Sequence, residues 1–429
     1  AVPATPDATP TAPVLQTSLP SPLPTSTVFF TPTKMITPQL TPIPTRDPAH
    51  PELRAFWVDA FHPGIKSPQE IDQLILDLQA AHANAVFAQV RKRGDAYFNL
   101  TIEPRAAELS KQPDFDPLAV LIQKAHAAQP PIEVHAWLVV MPIARQGELP
   151  TDPQHVYLKH GPDAPGDEQW TTRSLDGSTV AENSYFLDPG HPAAAQYLVK
   201  VPTNVVKQYA VDGIHLDYIR YAGSQWGYNP VSLRRFLAAT GRTVTPAPTD
   251  TDWQQWRRDQ VTNLMRQVYL ESIAINPRVK VSAATIAWGA GPTTDAQWRA
   301  SRTMADTFQD WLGWMKEGIV DLALPMNYDR EGDANQKKWF DQWVAWEKDH
   351  AAGRHLVIGL GAYLNDIEGT LTQARRALAP SAQGNDAQGV SFYSYAATNA
   401  FNLSWERFTR DLTAELFLAN VPIPKMSWK

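Results

Sequence analysis

The stretch Val211-Asp212-Gly213-Ile214-His215-Leu216-Asp217-Tyr218-Ile219-Arg220-Tyr221 decides how this chain is read. Val211, Ile214, Leu216 and Ile219 supply the apolar content of a buried strand. Asp217 falls where such a strand leaves the core, with Tyr218, Arg220 and Tyr221 crowded around it. A carboxylate at the C-terminal end of a parallel strand, beside aromatic rings, is how a barrel enzyme presents a general acid to a sugar. The competing reading makes Asp217 a turn cap or the ion-pair partner of Arg220, because structural ion pairs also occupy such positions. The remainder of the chain discriminates between the two.

Working outward, short apolar runs alternate with amphipathic stretches from Leu53 onward. Strands are expected over 54–60, 84–91, 132–140, 213–219, 279–287, 320–328, 356–362 and 389–395. Helices are expected over 67–82, 117–128, 192–209, 252–275, 297–316, 335–350, 367–379 and 402–418. The first of these opens Ser67-Pro68-Gln69-Glu70, a capping serine followed by a first-turn proline. Eight strands each followed by a helix predict an α/β fold, a closed (β/α)8 TIM-type barrel over residues 53–429. An open doubly wound sheet is the alternative, and no Gly-x-Gly-x-x-Gly turn follows the first strand to support it. The connection 141–189 after strand three is long and rich in Gly, Pro, Asp and Ser, so it is expected to wall the active-site face. Residues 223–250 are a second such segment.

Composition narrows the function classes. The chain has 429 residues and a net charge of −6, with no basic run that would suggest nucleic acid. No apolar stretch is long enough to span a bilayer. Cysteine is absent, which excludes disulfides, thiolate metal sites and a cysteine nucleophile. The 15 tryptophans fit a cleft in which indoles stack on sugar faces, although aromatic residues also fill cores. Residues 1–50 hold 12 Pro and 11 Thr and almost no charge. Repeated Thr-Pro steps favour extended chain that buries no core, so residues 1–52 are expected to be a disordered stalk or linker. Such a stalk suits an extracellular or cell-surface protein tethered at its N-terminal side. A removed targeting segment ahead of Ala1 is expected.

If the barrel closes, its strand ends converge on one pocket. Strand one ends in Trp57-Val58-Asp59, strand two in Gln89-Val90-Arg91 with Asp95 and Tyr97 beyond, and strand three carries His135 and Trp137. Strand four delivers Asp217, strand six ends in Asn327-Tyr328-Asp329, and strand eight carries Tyr393. Hydroxyls, amides, carboxylates, arginine and aromatic rings together are the chemistry of a carbohydrate cleft. Each residue also has a plainer use: Trp57 and Trp137 as core, Arg91 neutralising Asp95, His135 as a satisfied interior histidine, Asp212 at a strand entry. A metal site built from His62, His135, His215 and Asp217 is disfavoured, because His215 and Asp217 are two apart on one strand and no His-x-His follows strand one. No metal or cofactor is expected. No Gly-x-Ser-x-Gly elbow marks a serine nucleophile.

The chain resembles the glycosyl-hydrolase-like-10 family, a set of bacterial TIM-barrel proteins. The resemblance rests on Arg54-Ala-Phe-Trp-Val-Asp59, Ala85-Val-Phe-Ala-Gln-Val-Arg91 with Gly94-Asp95-Ala96-Tyr97, Val134-His-Ala-Trp137, Leu187-Asp-Pro-Gly-His-Pro192, the stretch quoted above, and Pro325-Met-Asn-Tyr328. These occur in family order across the barrel. The resemblance implies hydrolysis of a glycan, with related proteins acting on amino-sugar polymers of the cell wall or biofilm matrix. The chain departs from the family where many members have two adjacent acids and this one has Asp217-Tyr218. It also has Val139-Val140-Met141-Pro142 in place of an Asn-Pro turn after strand three, and its fifth-strand segment Ala283-Ala-Thr-Ile-Ala-Trp288 is off pattern. Chitinase-type barrels read Asp-Gly-x-Asp-x-Asp-x-Glu in strand four; here the last position is Ile219, so Asp217 has to serve as the acid.

The expected site therefore has Asp217 as general acid, with Asp329 or Asp59 as partner carboxylate. Substrate-binding groups are Arg91, Asp95, His135, Trp137, Arg220, Tyr221, Asn327, Tyr328 and Tyr393. Arg91 and Asn327 are placed in the cleft because long polar groups at a barrel's top face have little reason to be core. A barrel that binds glycan without cleaving it is the rival class, since fold does not fix function. A metal-dependent hydrolase ranks behind both.

Overall fold

Eight parallel strands close into a barrel in this computed structural model, which describes residues 50–429. The expected stalk therefore lies, up to residue 49, outside the described residues. The strands in chain order are β1 (Leu53–Val58), β2 (Ala85–Arg91), β3 (Glu133–Val139), β4 (Pro142–Arg145), β5 (Ser184–Phe186), β6 (Gly213–Asp217), β7 (Lys280–Ile286), β8 (Leu322–Asn327), β9 (His355–Gly361) and β10 (Gly389–Tyr393). All but β4 and β5 form the barrel, each paired in parallel with its neighbours, and β10 closes it against β1. The outer pair, β4 and β5, is a small antiparallel sheet within the connection after β3.

The two faces of each strand go to different cores. Phe56, Val86, Ile214, Leu216, Val281 and Phe392 belong to the cluster shared with the surrounding helices. Leu53, Trp57, Phe87, Trp137, Leu322, Leu324 and Val357 form a separate cluster inside the barrel. Strand residues alternate between these faces, so near-continuous apolar runs in the sequence are what a strand buried on both sides needs. Small residues appear where the interior is crowded. A Cβ on Gly213 would sit 2.2 Å from Nδ1 of His135, so only glycine fits beneath that ring.

Helix starts follow a repeated local rule. Ser67, Asp116, His191 and Asn229 each cap a helix through a side-chain acceptor, and each is followed by proline. Proline at the first helical position gives up a donor that would otherwise have no partner. Two expectations are corrected here. Residues 223–250 contain the helix Pro230–Thr240, which ends at Gly241 with φ 68°. The single helix expected over 297–316 is instead three short pieces, Asp295–Ala300, Arg302–Ala305 and Trp311–Glu317. Ser301 is extended between the first two and Phe308 has φ 57°, so the backbone cannot continue through either point.

The barrel floor is sealed by the chain's last residues. Met426 joins the interior cluster, and Trp428 donates its indole N–H to Asp321 at 2.7 Å. Lys429 pairs with the same carboxylate at 2.9 Å. Glu52 donates its backbone N–H to Pro422, and the Arg54 guanidinium stacks 4.2 Å over Phe417. With the N-terminal strand ends covered, the barrel opens at the end where Asp217 leaves β6.

Candidate active site

Asp217 is the last residue of β6, and its side chain lines a cleft of about 480 Å³ at the C-terminal mouth of the barrel. Tyr218 turns the chain sharply there with φ 52°, a left-handed conformation that a tyrosine adopts at a cost of about 1–2 kcal/mol. The turn aims the Tyr218 N–H at one Asp217 oxygen, 2.7 Å away. The other oxygen accepts the Trp137 indole N–H at 3.2 Å. Burial pushes this carboxyl up to about 6, against the opposing pull of those two donors and of Arg220.

Below Asp217 the barrel interior holds His215. The Trp57 indole donates to Nε2 of His215 at 3.0 Å, and Nδ1 of His215 lies 2.9 Å from the Ser282 hydroxyl. Ser282 donates its own proton to the Ile214 carbonyl, so it accepts from His215, which is thereby fixed with its proton on Nδ1. Burial holds the His215 ring well below its ordinary value. Both nitrogens are used inside the barrel, leaving none for a metal. Among the described residues no group of three or more His, Asp or Glu is arranged to hold a metal ion.

The wall of the cleft is aromatic. Tyr328 and Tyr393 stack with centroids 5.4 Å apart, Tyr363 meets Tyr393 edge-on at 5.8 Å, and Trp137 meets Tyr393 at 6.4 Å. Opposite stands Arg220, buried, with its guanidinium 4.4 Å over the Tyr218 ring and 5.1 Å from that of Trp288. Arg220 pairs with Glu182 at 3.2 Å. Glu182 also lines the cleft, and its charge is one of the influences raising Asp217.

Glu182 was not among the residues expected from the sequence. It sits at the tip of a two-residue turn between Ala181 and Ser184, which exchange backbone hydrogen bonds at 2.8 and 2.7 Å. Both turn residues have positive φ, 50° for Glu182 and 55° for Asn183. Asparagine favours that conformation and was the one available signal; glutamate is strained in it. The turn leads into β5, in the long connection after β3, and brings a carboxylate over the cleft from a segment with no regular periodicity.

Several sequence expectations are corrected by placement. Arg91 does not line the cleft. The β2–β3 register slips between Gln89 and Arg91, so Gln89 faces the cleft and Arg91 turns outward. There it binds Glu103 through two 2.7 Å hydrogen bonds and the Val140 carbonyl at 2.9 Å, 1% exposed. Asn327 also points behind the sheet, 3.0 Å from Glu347, because Met326 takes the inward position on β8. Tyr221 is buried with its hydroxyl donated to Asp188 at 3.1 Å. His135 lies in the closed interior, its ring 4.8 Å from Phe87. Asp95 caps the turn after β2, accepting the Lys92 and Arg93 N–H groups at 3.0 and 2.9 Å.

Neither expected partner carboxylate lines the Asp217 cleft itself. Asp59 lies one residue past β1, and one of its oxygens accepts the Phe61 and His62 N–H groups at 2.9 and 3.1 Å. Asp329 lines an adjoining pocket beyond Tyr328. Trp137, Arg220, Tyr328 and Tyr393 surround the cleft together with Asp217.

An eight-stranded parallel barrel with a carboxyl acid and aromatic rings at its C-terminal mouth defines the class of TIM-barrel proteins built like glycosidases. The family described as Glycosyl hydrolase-like 10 matches residues 52–374, and the chain belongs to that family. The chain is 26% identical over 333 residues to glycosyl hydrolase YngK of Bacillus subtilis (strain 168), covering 73% of this chain and 61% of that one. It is 23% identical over 271 residues to glycosyl hydrolase DigH of Escherichia coli (strain K12), covering 58% and 56%. The chain thus spans about three-fifths of the length of these relatives. The glycoside hydrolase domain of PgaB (BpsB) from Bordetella bronchiseptica superposes with a TM-score of 0.59 at 17% identity, covering 84% of this chain and 98% of that one. At that identity the likeness concerns the fold.

Proposed function

We propose that this protein hydrolyses glycosidic bonds in an amino-sugar-containing polysaccharide of the bacterial cell wall or matrix, with Asp217 as the general acid. One observation carries the reading: a carboxyl raised to about 6 in the floor of an aromatic cleft. A general acid must hold its proton until the leaving sugar oxygen takes it, and that pKa keeps Asp217 part-protonated near neutrality. The Trp137 indole and the Tyr218 N–H then stabilise the carboxylate left behind. Tyr328, Tyr363 and Tyr393 offer ring faces and edges to sugar rings.

Glu182, the ion-pair partner of Arg220, is the second carboxylate in this reading, reaching the cleft from the connection after β3. The names of the relatives, both glycosyl hydrolases, support the same activity. The Pro/Thr-rich composition of residues 1–50 supports a site of action outside the cytoplasm, with the catalytic domain tethered near the cell surface. The test is product formation. Wild-type protein and Asp217→Asn are incubated with amino-sugar polymers, peptidoglycan strands and plant-type glycans, and new reducing ends are measured. Reducing ends from an amino-sugar polymer that vanish in the variant support the reading. Binding without any reducing ends, in the wild type, replaces it with a barrel that only holds glycan.

A further inference from the structure

The cleft does not stop at its aromatic wall. A second pocket of about 510 Å³ shares Trp288, Met326, Tyr328 and Tyr363 with it, so the two adjoin at the barrel mouth. The second pocket adds Trp339 from the helix Ala334–Asp349, together with Arg302, Gln336 and Asp329. It therefore repeats the composition of the first: indole and phenol rings with a few polar groups.

Asp329 gives that pocket a specific character. The residue is 7% exposed, yet its carboxyl has no hydrogen-bond partner among the described residues. Its backbone carbonyl is used, by Asn365 at 3.0 Å and Gln373 at 2.9 Å. The carboxyl oxygens reach the pocket's solvent, where a ligand's hydrogen-bonding groups would meet them. Arg302 does not claim it: that guanidinium pairs with Asp306 at 3.1 Å and lies 4.9 Å over Trp288. Burial, with the nearby Asp333 charge, pushes the Asp329 carboxyl up to about 7. A carboxyl that is half neutral near pH 7 both donates and accepts, which suits hydroxyl and acetamido groups better than a cation.

We propose that the pocket beyond Tyr328 and Tyr363 is a second sugar subsite, in which Asp329 hydrogen-bonds and Trp339 stacks on a neutral or N-acetylated unit of the same glycan chain. The inference rests on the glycan-hydrolase reading and deepens it: the protein takes a chain lying across the barrel mouth, not a single terminal sugar. Asp329 is then a substrate-binding residue, not the partner carboxylate of catalysis.

The test uses binding in the Asp217→Asn background, so that no turnover intervenes. Affinities for N-acetylglucosamine dimers and hexamers, β-1,4- and β-1,6-linked, are measured by calorimetry in that protein and with Trp339→Ala or Asp329→Ala added. The hexamer is expected to bind at least about tenfold more tightly than the dimer of the same linkage. Either added substitution is expected to shrink that ratio by roughly 3–10-fold, chiefly through the hexamer, given the usual worth of one stacked or hydrogen-bonded contact. Trp339 is part-exposed and the Asp329 carboxyl has no hydrogen bond to lose among the described residues, so both variants should fold, which circular dichroism checks. A length ratio that neither substitution alters overturns the subsite while leaving the hydrolase reading intact. Failure of every oligomer to bind overturns both.

Discussion

Trp137 on β3 donates its indole N–H to the Asp217 carboxylate on β6 across 3.2 Å of the barrel mouth. The two side chains come from strands 80 residues apart in sequence. The bond ties the aromatic lining to the acid, so the residue that shapes the cleft also sets how readily Asp217 ionises.

A pair of opposed pKa shifts follows from that bond. The Trp137 donor lowers the Asp217 pKa, whereas Glu182 raises it. Activity that needs protonated Asp217 should fall as pH rises through about 6. Trp137→Phe should move that fall to higher pH, and Glu182→Gln, which should also lower turnover severely as the second carboxylate, should move the fall of its residual activity to lower pH. Profiles of kcat/KM against pH for the three proteins check both directions; a shift of the same sign in both variants contradicts the assignment.

Removing the acid itself separates chemistry from binding. Asp217→Asn should lower turnover by roughly 10²–10⁴-fold while glycan affinity persists. Wild-type turnover in that variant rules Asp217 out.

The same substitution should stabilise the fold in one pH window. Folded Asp217 titrates near 6 and the unfolded side chain near 3.8. Between those values the folded state holds a proton that the unfolded state has released, so wild-type stability falls as pH rises across the window. The carboxamide of the variant does not titrate and suffers no such loss. Asp217→Asn should therefore match wild type at about pH 3.5 and exceed it above about pH 6, by up to about 3 kcal/mol. Chemical denaturation at the two pH values measures it.

Arg91 should behave as a structural residue. Arg91→Ala strands the buried Glu103 carboxylate and frees the Val139 and Val140 carbonyls, with an expected loss of about 3–5 kcal/mol in stability. Thermal melts record this. A variant of undiminished stability but weakened glycan affinity would return Arg91 to the cleft.

The barrel floor gives a control far from the chemistry. Met426→Ala removes a contact with the interior cluster and should cost about 2–3 kcal/mol. At a temperature where the variant stays folded, its pH profile should equal that of wild type, because the floor lies at the strands' opposite ends.

The barrel itself was legible in the sequence, because alternation of apolar strands and capped helices is local and repeats eight times. Asp217 was legible because it falls where the apolar content of its strand gives way to polar groups. Arg91 and Asn327 were misplaced where the strand period fails. At Arg91 the register slips by a residue; on β8 the inward position belongs to Met326, so its neighbour Asn327 is turned away. Neither a bulge nor the absolute phase of a strand leaves a mark in residue types, since both are set by packing against neighbouring strands. Glu182 was invisible because it reaches the cleft from an aperiodic loop, through a strained turn held by Ala181, Ser184 and Arg220. Local sequence pattern was thus enough to specify the barrel and the place of Asp217 at its mouth. Which polar side chains face the cleft was settled in three dimensions, because that choice depends on contacts between segments far apart in the chain.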